Sequence, residues 1–294
     1  MKKWFNLDRI TRVFRGFLVL SLLGFFLLTS PGYALSPNSS GSPTHMLNLS
    51  PAVGSLADGS SGPITGSSQG VCEGSFCWYY SGAEENYINA KGASVSMTQA
   101  DPVVSTTDYH SLTEIALKSQ NGQQIVEFGW IVAPEMFGDS LPHLFVYHWV
   151  NGNSTCYDTC GYISLASPNP VGSPVTVGQT GKYEIKYSGN KWEIIYNGQY
   201  IGYFPESIWG GSFKKAFTVE IYGEVSAPNG VAPTTQMGNA ILGNEPGAAQ
   251  VSNYDLINSP VKEKLYPFVF GDPRSYAIGN VTKTSFSYGG PGGY

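Results

Sequence analysis

The sequence predicts an all-β fold, an antiparallel β-sandwich of two packed, curved sheets with a groove. Three observations carry that expectation. Runs rich in Val, Ile, Tyr and Phe recur at short spacing with Gly, Asn, Ser and Pro between them, the alternation of strand and turn formers typical of sandwiches and barrels. After residue 34 no stretch keeps helical periodicity over a useful length, a weak one at 205–209 excepted. Asn197-Gly198 sits between two β-rich runs, the strongest short-range signal for a tight hairpin.

Taken in order, residues 1–34 stand apart. Lys2, Lys3, Arg9, Arg12 and Arg15 form a basic start, Phe17–Thr29 is apolar, and Gly32-Tyr33-Ala34 offers small residues at −3 and −1 of a cleavage point. This is the pattern of a secretory signal peptide. An uncleaved anchor is the other reading, for which the apolar run is short. The protein is therefore expected to be secreted, with membrane contact only through this transient segment. Residues 35–71, from "LSPNSSGSPTHML" to "DGSSGPITGSSQG", are dominated by Ser, Gly and Pro. Such a segment buries too little apolar surface to offset chain entropy and reads as a leader or pro-segment, or as a linker without a role. The β domain is expected over 72–294.

The chain carries 16 Lys+Arg and 21 Asp+Glu. Without residues 1–34 it keeps 11 and 20, a net charge of −9. So acidic a chain does not track a phosphate backbone, which argues against a nucleic-acid partner. The four cysteines fall in two close pairs, Cys72/Cys77 and Cys156/Cys160. In an exported protein these read as local disulfides, with crossed pairing and a zinc site as alternatives. His45, His110, His143 and His148 lack ligand spacing with the cysteines, so no metal and no cofactor is expected.

In "KYEIKYSGNKWEIIYNGQYIGYF" (182–204), Ser188-Gly189-Asn190 and Asn197-Gly198 mark two tight turns, so three strands form an antiparallel meander. "QQIVEFGWIV" (123–132), "PHLFVYHWV" (142–150) and "AFTVEIYGEV" (216–225) read as further strands. Side chains alternate between the faces of a strand. In 216–225 Phe217, Val219, Ile221, Gly223 and Val225 make an apolar face, and Glu220, Tyr222 and Glu224 lie on the other. In 124–132 Val126, Phe128, Trp130 and Val132 share one face, and Glu127 lies among Ile125, Gly129 and Ile131 on the other. Burying an ionised carboxylate among apolar neighbours is costly unless it is paired or changes its protonation state. Glu127 and Glu224 are thus candidates for a pair across a shared groove. On periodicity alone a solvated outer face explains Glu220 and Glu224 equally well.

A set of ordered motifs adds to this reading. "EFGWIVAPEMFGD" (127–139) resembles the E-x-G-W-x-V-x-P-x-x-Y/F-G-D stretch of the neprosin family of glutamic peptidases. "LFVYHW" (144–149), "CYDTCGYISL" (156–165), "IGYFPESIW" (201–209), "YGEV" (222–225), "TTQMGN" (234–239) and "SYGGPGG" (287–293) follow in that family's order. The resemblance covers about residues 76–294. It implies a secreted antiparallel β-sandwich that cuts peptide bonds, with prolyl endopeptidase activity in the plant branch. It also implies Glu127 and Glu224 as the two catalytic carboxylates. Many relatives carry Gln at the first of these positions, so the presence of Glu127 matters. The chain departs from the pattern at three places. Tyr222 replaces the first glycine of G-G-E, Cys156 and Cys160 are one residue closer than usual, and the Ser/Gly/Pro leader stands where plant members carry a long pro-domain.

Two close carboxyls do not both ionise readily. One then keeps a proton as acid while the other activates water for direct attack, without an acyl-enzyme. Which glutamate plays which part stays open. The developing oxyanion needs a neutral donor, for which Tyr222, Gln236 and backbone amides are candidates. Trp130 and Trp149, with Trp192 and Trp209, are candidates for lining the groove, although tryptophans on sandwich strands are more often core. The working pH is expected at or below the ordinary Glu value of about 4.3, and higher if the pair is buried. The expected partner is a proline-containing peptide or protein, the expected state a monomer. If cleavage follows proline, acidification would trim the leader at Pro37, Pro43, Pro51 or Pro63. Two other classes stay open: a two-carboxylate glycosidase with the tryptophans as sugar platforms, and a non-catalytic carbohydrate- or protein-binding module. New amino termini against new reducing ends separate the first two, and a binding module gives neither.

Overall fold

The computed structural model describes residues 69–293. The signal peptide, most of the leader and its prolines lie outside the described residues. Within them, strands form two eight-stranded antiparallel sheets, one of them curled as a half-barrel. The first sheet runs β1 (Val71–Glu73), β2 (Phe76–Ala90), β12 (Ala216–Pro228), β4 (His110–Lys118), β5 (Ile125–Val132), β6 (His143–Val150), β7 (Asn153–Ser154), with β14 (Tyr266–Phe270) also paired to β2. The second runs β15 (Ala277–Gly279), β16 (Phe286–Gly289), β13 (Ala249–Ile257), β3 (Gly92–Thr98), β9 (Thr180–Ser188), β10 (Lys191–Tyr196), β11 (Gln199–Pro205), β8 (Ile163–Ser164). Among the described residues helical structure is confined to α1 (Pro134–Phe137) and a 3-10 turn at Glu206–Trp209, where the weak helical stretch was expected.

The meander 182–204 forms as its turns dictate. Gly189 (φ 54°) and Asn190 (φ 62°) join β9 to β10, and Asn197 (φ 50°) and Gly198 (φ 78°) join β10 to β11. Both central residues of each turn are left-handed, the geometry that matches the twist of the flanking strands.

Period-2 alternation fixes what each face of the first sheet buries. Val126, Phe128, Trp130 and Val132 of β5, with Val219, Ile221 and Val225 of β12, pack into the main core with Tyr183, Ile185 and Trp192 of the second sheet. Phe128 and Tyr183 meet with ring centroids 5.1 Å apart. The Thr113 and Tyr288 hydroxyls bond at 2.7 Å across the two layers. Both local disulfides are present, Cys72–Cys77 directly across the β1–β2 pair and Cys156–Cys160 in the loop after β7. No cysteine remains free for a metal or a crossed pairing.

Candidate active site

The opposite face of the first sheet carries the carboxylates. In an antiparallel ladder, residues directly opposite one another share a face. β12 lies between β2 and β4, so Glu224 is paired with Tyr80 and Leu112, Tyr222 with Gly82 and Glu114, and Glu220 with Glu84 and Ala116. Across the next seam Ala116 is paired with Glu127, and Glu114 with Gly129. Only β4 separates Glu127 from Glu224, which are offset by the stretch Leu112–Ala116, and Glu114 stands midway along it. This face is not solvated: Glu127 is 7% exposed, Glu224 3% and Glu114 2%. Its apolar surround comes from Trp78, Tyr80, Leu112, Ile131, Tyr147 and Phe268, with Phe137 and Tyr157 packed against them.

Each carboxylate has a different companion. Glu224 Oε1 lies 2.7 Å from His110 Nε2. Glu127 Oε1 accepts from Trp149 Nε1 at 2.9 Å. Glu114 accepts from the Tyr222 hydroxyl, and Glu220 from Lys118 Nζ. Glu84 accepts from Asn86 Nδ2 at 3.0 Å. Burial pushes the Glu127 carboxyl up to about 8; the Trp149 N–H opposes that rise and the charge of Glu224 adds to it. Burial, then the charges of Glu127 and Glu224, lift Glu114 well above the ordinary carboxylate range, against the pull of the Tyr222 hydroxyl. Burial and then Glu220 raise Glu84 to about 7. Desolvation disfavours the charged form of each of these groups, and neighbouring anions disfavour it further. The face therefore stores protons at pH values where exposed glutamates have lost theirs. Glu224 is the carboxylate of this face whose partner is an imidazole, that of His110.

Residues 107–291, well over half of the chain, match the sequence family described as Neprosin. The chain belongs to the neprosin family. Its domain is accordingly of glutamic-peptidase type. Among solved structures, the chain is similar to scytalidoglutamic peptidase with a transition-state analogue inhibitor, at 8% identity over 71% of this chain and 97% of that one, TM-score 0.45. It is similar also to SCP-B, a member of the eqolisin family in complex with the tripeptide Ala-Ile-His, at 9% identity over 71% and 96%, TM-score 0.43. Chicken galectin 2 matches at 10% identity over 49% and 92%, TM-score 0.32. All three scores fall below 0.5, and the family assignment rests on the sequence match.

The residues singled out from sequence separate into two groups. Glu127, Glu224, Tyr222 and Trp149 share the buried carboxylate face. Trp130 does not: it points to the opposite side of β5, is fully buried in the inter-sheet core, and its Nε1 donates to Thr98 O at 3.0 Å. It ties the two layers and lines no groove, the outcome its alternation with Glu127 requires. Trp192 and Trp209 are core as well, donating to Phe213 O and Trp149 O. Gln236 is bound to the 101–105 segment, where its Oε1 accepts from Val103 N at 2.9 Å and its own N–H donates to Val103 O at 3.0 Å. Glu114 and His110 escaped the sequence reading, although both lie at even positions of "HSLTEIALK" (110–118), the same alternation that isolates Glu220, Tyr222 and Glu224. A hollow of about 370 Å³ between the Cys72–Cys77 hairpin and the 229–233 and 272–276 segments includes none of these carboxylates. Among the described residues no cluster of three or more His, Cys, Asp or Glu is arranged for a metal ion.

Proposed function

We propose that this protein is a secreted glutamic endopeptidase that hydrolyses peptide bonds, cutting after proline, with water activated between Glu127 and Glu224. The observation that carries the reading is the contrast between two near-buried glutamates on one sheet face. Glu224 has the His110 imidazole at 2.7 Å, whereas Glu127 keeps its proton up to about pH 8. Glu224 is then the base and Glu127 the acid. Glu224 takes a proton from water as the water oxygen bonds to the scissile carbonyl carbon. As the tetrahedral species collapses, the C–N bond breaks and the proton of Glu127 goes to the amine. Exchange with solvent returns the pair to its starting state.

The aromatic surround of the site, Trp78, Tyr80 and Tyr147 among it, suits an apolar pyrrolidine ring. The after-proline preference itself comes from the family resemblance. Secretion is supported by the two disulfides and by the signal-peptide pattern. The test is digestion of a mixed, proline-containing peptide library from about pH 3 to about pH 9, with Glu127→Gln and Glu224→Gln alongside; each substitution should lower kcat about 10²–10⁴-fold. New amino termini following proline are expected. A folded wild-type protein that cuts nothing overturns the peptidase reading, and cuts without regard to proline overturn the specificity.

A further inference from the structure

We infer that Glu114 is a third catalytic carboxyl of this site, a neutral acid that donates a hydrogen bond to the oxyanion formed between Glu127 and Glu224. The inference rests on the peptidase reading above and concerns the same sheet face. Attack on a carbonyl turns its oxygen into an anion, and in a water-poor site a fixed donor must meet that charge. Of the donors suggested by sequence, Gln236 is held against the 101–105 segment by its side-chain oxygen and its backbone N–H, and the Tyr222 hydroxyl donates to Glu114. The Trp149 N–H serves Glu127, and His110 Nε2 serves Glu224.

Glu114 stands at the right place. Register sets it midway along β4 between the rows of Glu224 and Glu127. The row it occupies runs Phe268, Gly82, Tyr222, Glu114, Gly129, Phe145 across six strands. Its two glycines leave room for the two side chains between them. A Cβ at Gly129 would lie 2.8 Å from Glu114 Cα and Cβ and 2.1 Å from Thr113 O, and one at Gly82 would lie 2.4 Å from Tyr222 Cβ. A bulky tyrosine thus stands on one side of the carboxyl and a bare backbone on the other, which positions the side chain.

The surroundings set its protonation. Glu220, Glu224 and Tyr222 face it from β12, Glu127 from β5, Glu84 and Tyr80 from β2, Tyr147 from β6, and His110 and Lys118 share its own strand. His110 and Lys118 are bonded to Glu224 and Glu220. Glu114 receives a neutral hydroxyl and is 2% exposed. A carboxyl so placed keeps its proton at neutral pH and can donate, as buried acids do in other oxyanion sites. With Tyr222 on Oε1, the proton sits on the other oxygen. During attack the carbonyl π pair moves onto oxygen and is met by this O–H, with no proton transferred. Collapse restores the carbonyl, and Glu114 ends as it began.

Two substitutions separate a donor from a bystander. Glu114→Gln keeps shape and supplies an N–H donor, so its kcat should stay within about tenfold of wild type. Glu114→Leu removes the donor and should lower kcat about 10²–10³-fold with KM little changed. Infrared spectra of the wild type near pH 6 should show a neutral-acid C=O band that Glu114→Gln deletes, a readout that needs neither turnover nor the leucine variant. Leucine activity equal to wild type, glutamine as inactive as leucine, or an ionised Glu114 in the infrared spectrum would each overturn the inference. If the wild type cuts no peptide, the peptidase reading and the oxyanion role fall together, and the infrared band then reports only the protonation of Glu114. Peptide cleavage with a fully active Glu114→Leu sinks the third carboxyl alone.

Discussion

Trp149 and His110 each bond one of the two carboxylates, and substitution separates their parts. The Trp149 indole stabilises the ionised form of Glu127 and so restrains a rise that burial drives. In Trp149→Phe that restraint is gone. The alkaline limb of kcat/KM, near pH 8 where Glu127 loses its proton, should move up by as much as about one unit, the equivalent of a single charge-assisted hydrogen bond. A limb that stays put or moves down would refute the assignment of Glu127 as the acid. His110 acts by position. His110→Leu removes the ring nitrogen that lies 2.7 Å from Glu224, and leaving a buried polar group without its partner costs about 1–3 kcal/mol. A loss in kcat/KM of about tenfold is expected, from comparison of the two proteins near pH 6. An unchanged value would mean that His110 does not hold Glu224 in place.

Strands bring these residues together, and the strand scale separates what the sequence discloses from what it hides. Alternation told in advance that Glu127 and Trp130 point to opposite sides of β5 and that Glu220, Tyr222 and Glu224 share one side of β12, because that period is local to each strand. Neighbour relations are not local. β12 inserts between β2 and β4, which precede it by over 90 residues, and nothing in "AFTVEIYGEV" announces either partner. The burial of Glu224 was hidden for the same reason, since a strand with Glu at alternate positions also describes a wet surface. Glu114 was missed because "HSLTEIALK" alternates His, Leu, Glu, Ala and Lys on one side, a mixture that reads as solvated until β5 and β12 close over it. The glycine opposite Glu114 offers an element-scale test. A Cβ at Gly129 would meet the Thr113 carbonyl oxygen at 2.1 Å, a backbone atom held by the ladder that cannot swing aside. Gly129→Ala should cost about 3 kcal/mol, read from the urea midpoint. A change under about 0.5 kcal/mol would show that the β4–β5 seam is not closed in this register.

Gathering several carboxyls on one buried face ties the stability of the whole sandwich to pH, in the sense opposite to ordinary acid denaturation. Glu127 and Glu84 titrate near 8 and 7 in the folded protein, against an ordinary value of 4.5. A carboxyl raised on folding binds its proton more tightly in the native state, so its contribution is complete below the unfolded value and is lost as pH climbs through the folded one. His148 works the other way. Burial lowers it from 6.5 to about 4, so it costs stability as pH falls through that interval and falls silent above it. The exposed Asp272, lowered to about 2 by Arg274, titrates too far down to matter near neutrality. Between about pH 6.5 and pH 8 the carboxyls act without opposition from His148. Asp158, raised to about 7 by burial, and Glu114, raised well above the ordinary range, act in the same sense. Each proton held only by the folded state is worth about 1.4 kcal/mol per pH unit, so the unfolding free energy should fall by at least about 2 kcal/mol across that window. Urea titrations at the two ends measure it directly. Glu127→Gln, which removes a titrating group while keeping the Trp149 partner, should unfold later than wild type at pH 8 and show a shallower decline. A wild-type stability that rises from pH 6.5 to pH 8 would mean that these glutamates are ionised in the folded protein. The same result would remove the protonated acid from the proposed mechanism, because the proton that stabilises the fold is the one that Glu127 must deliver to the leaving amine.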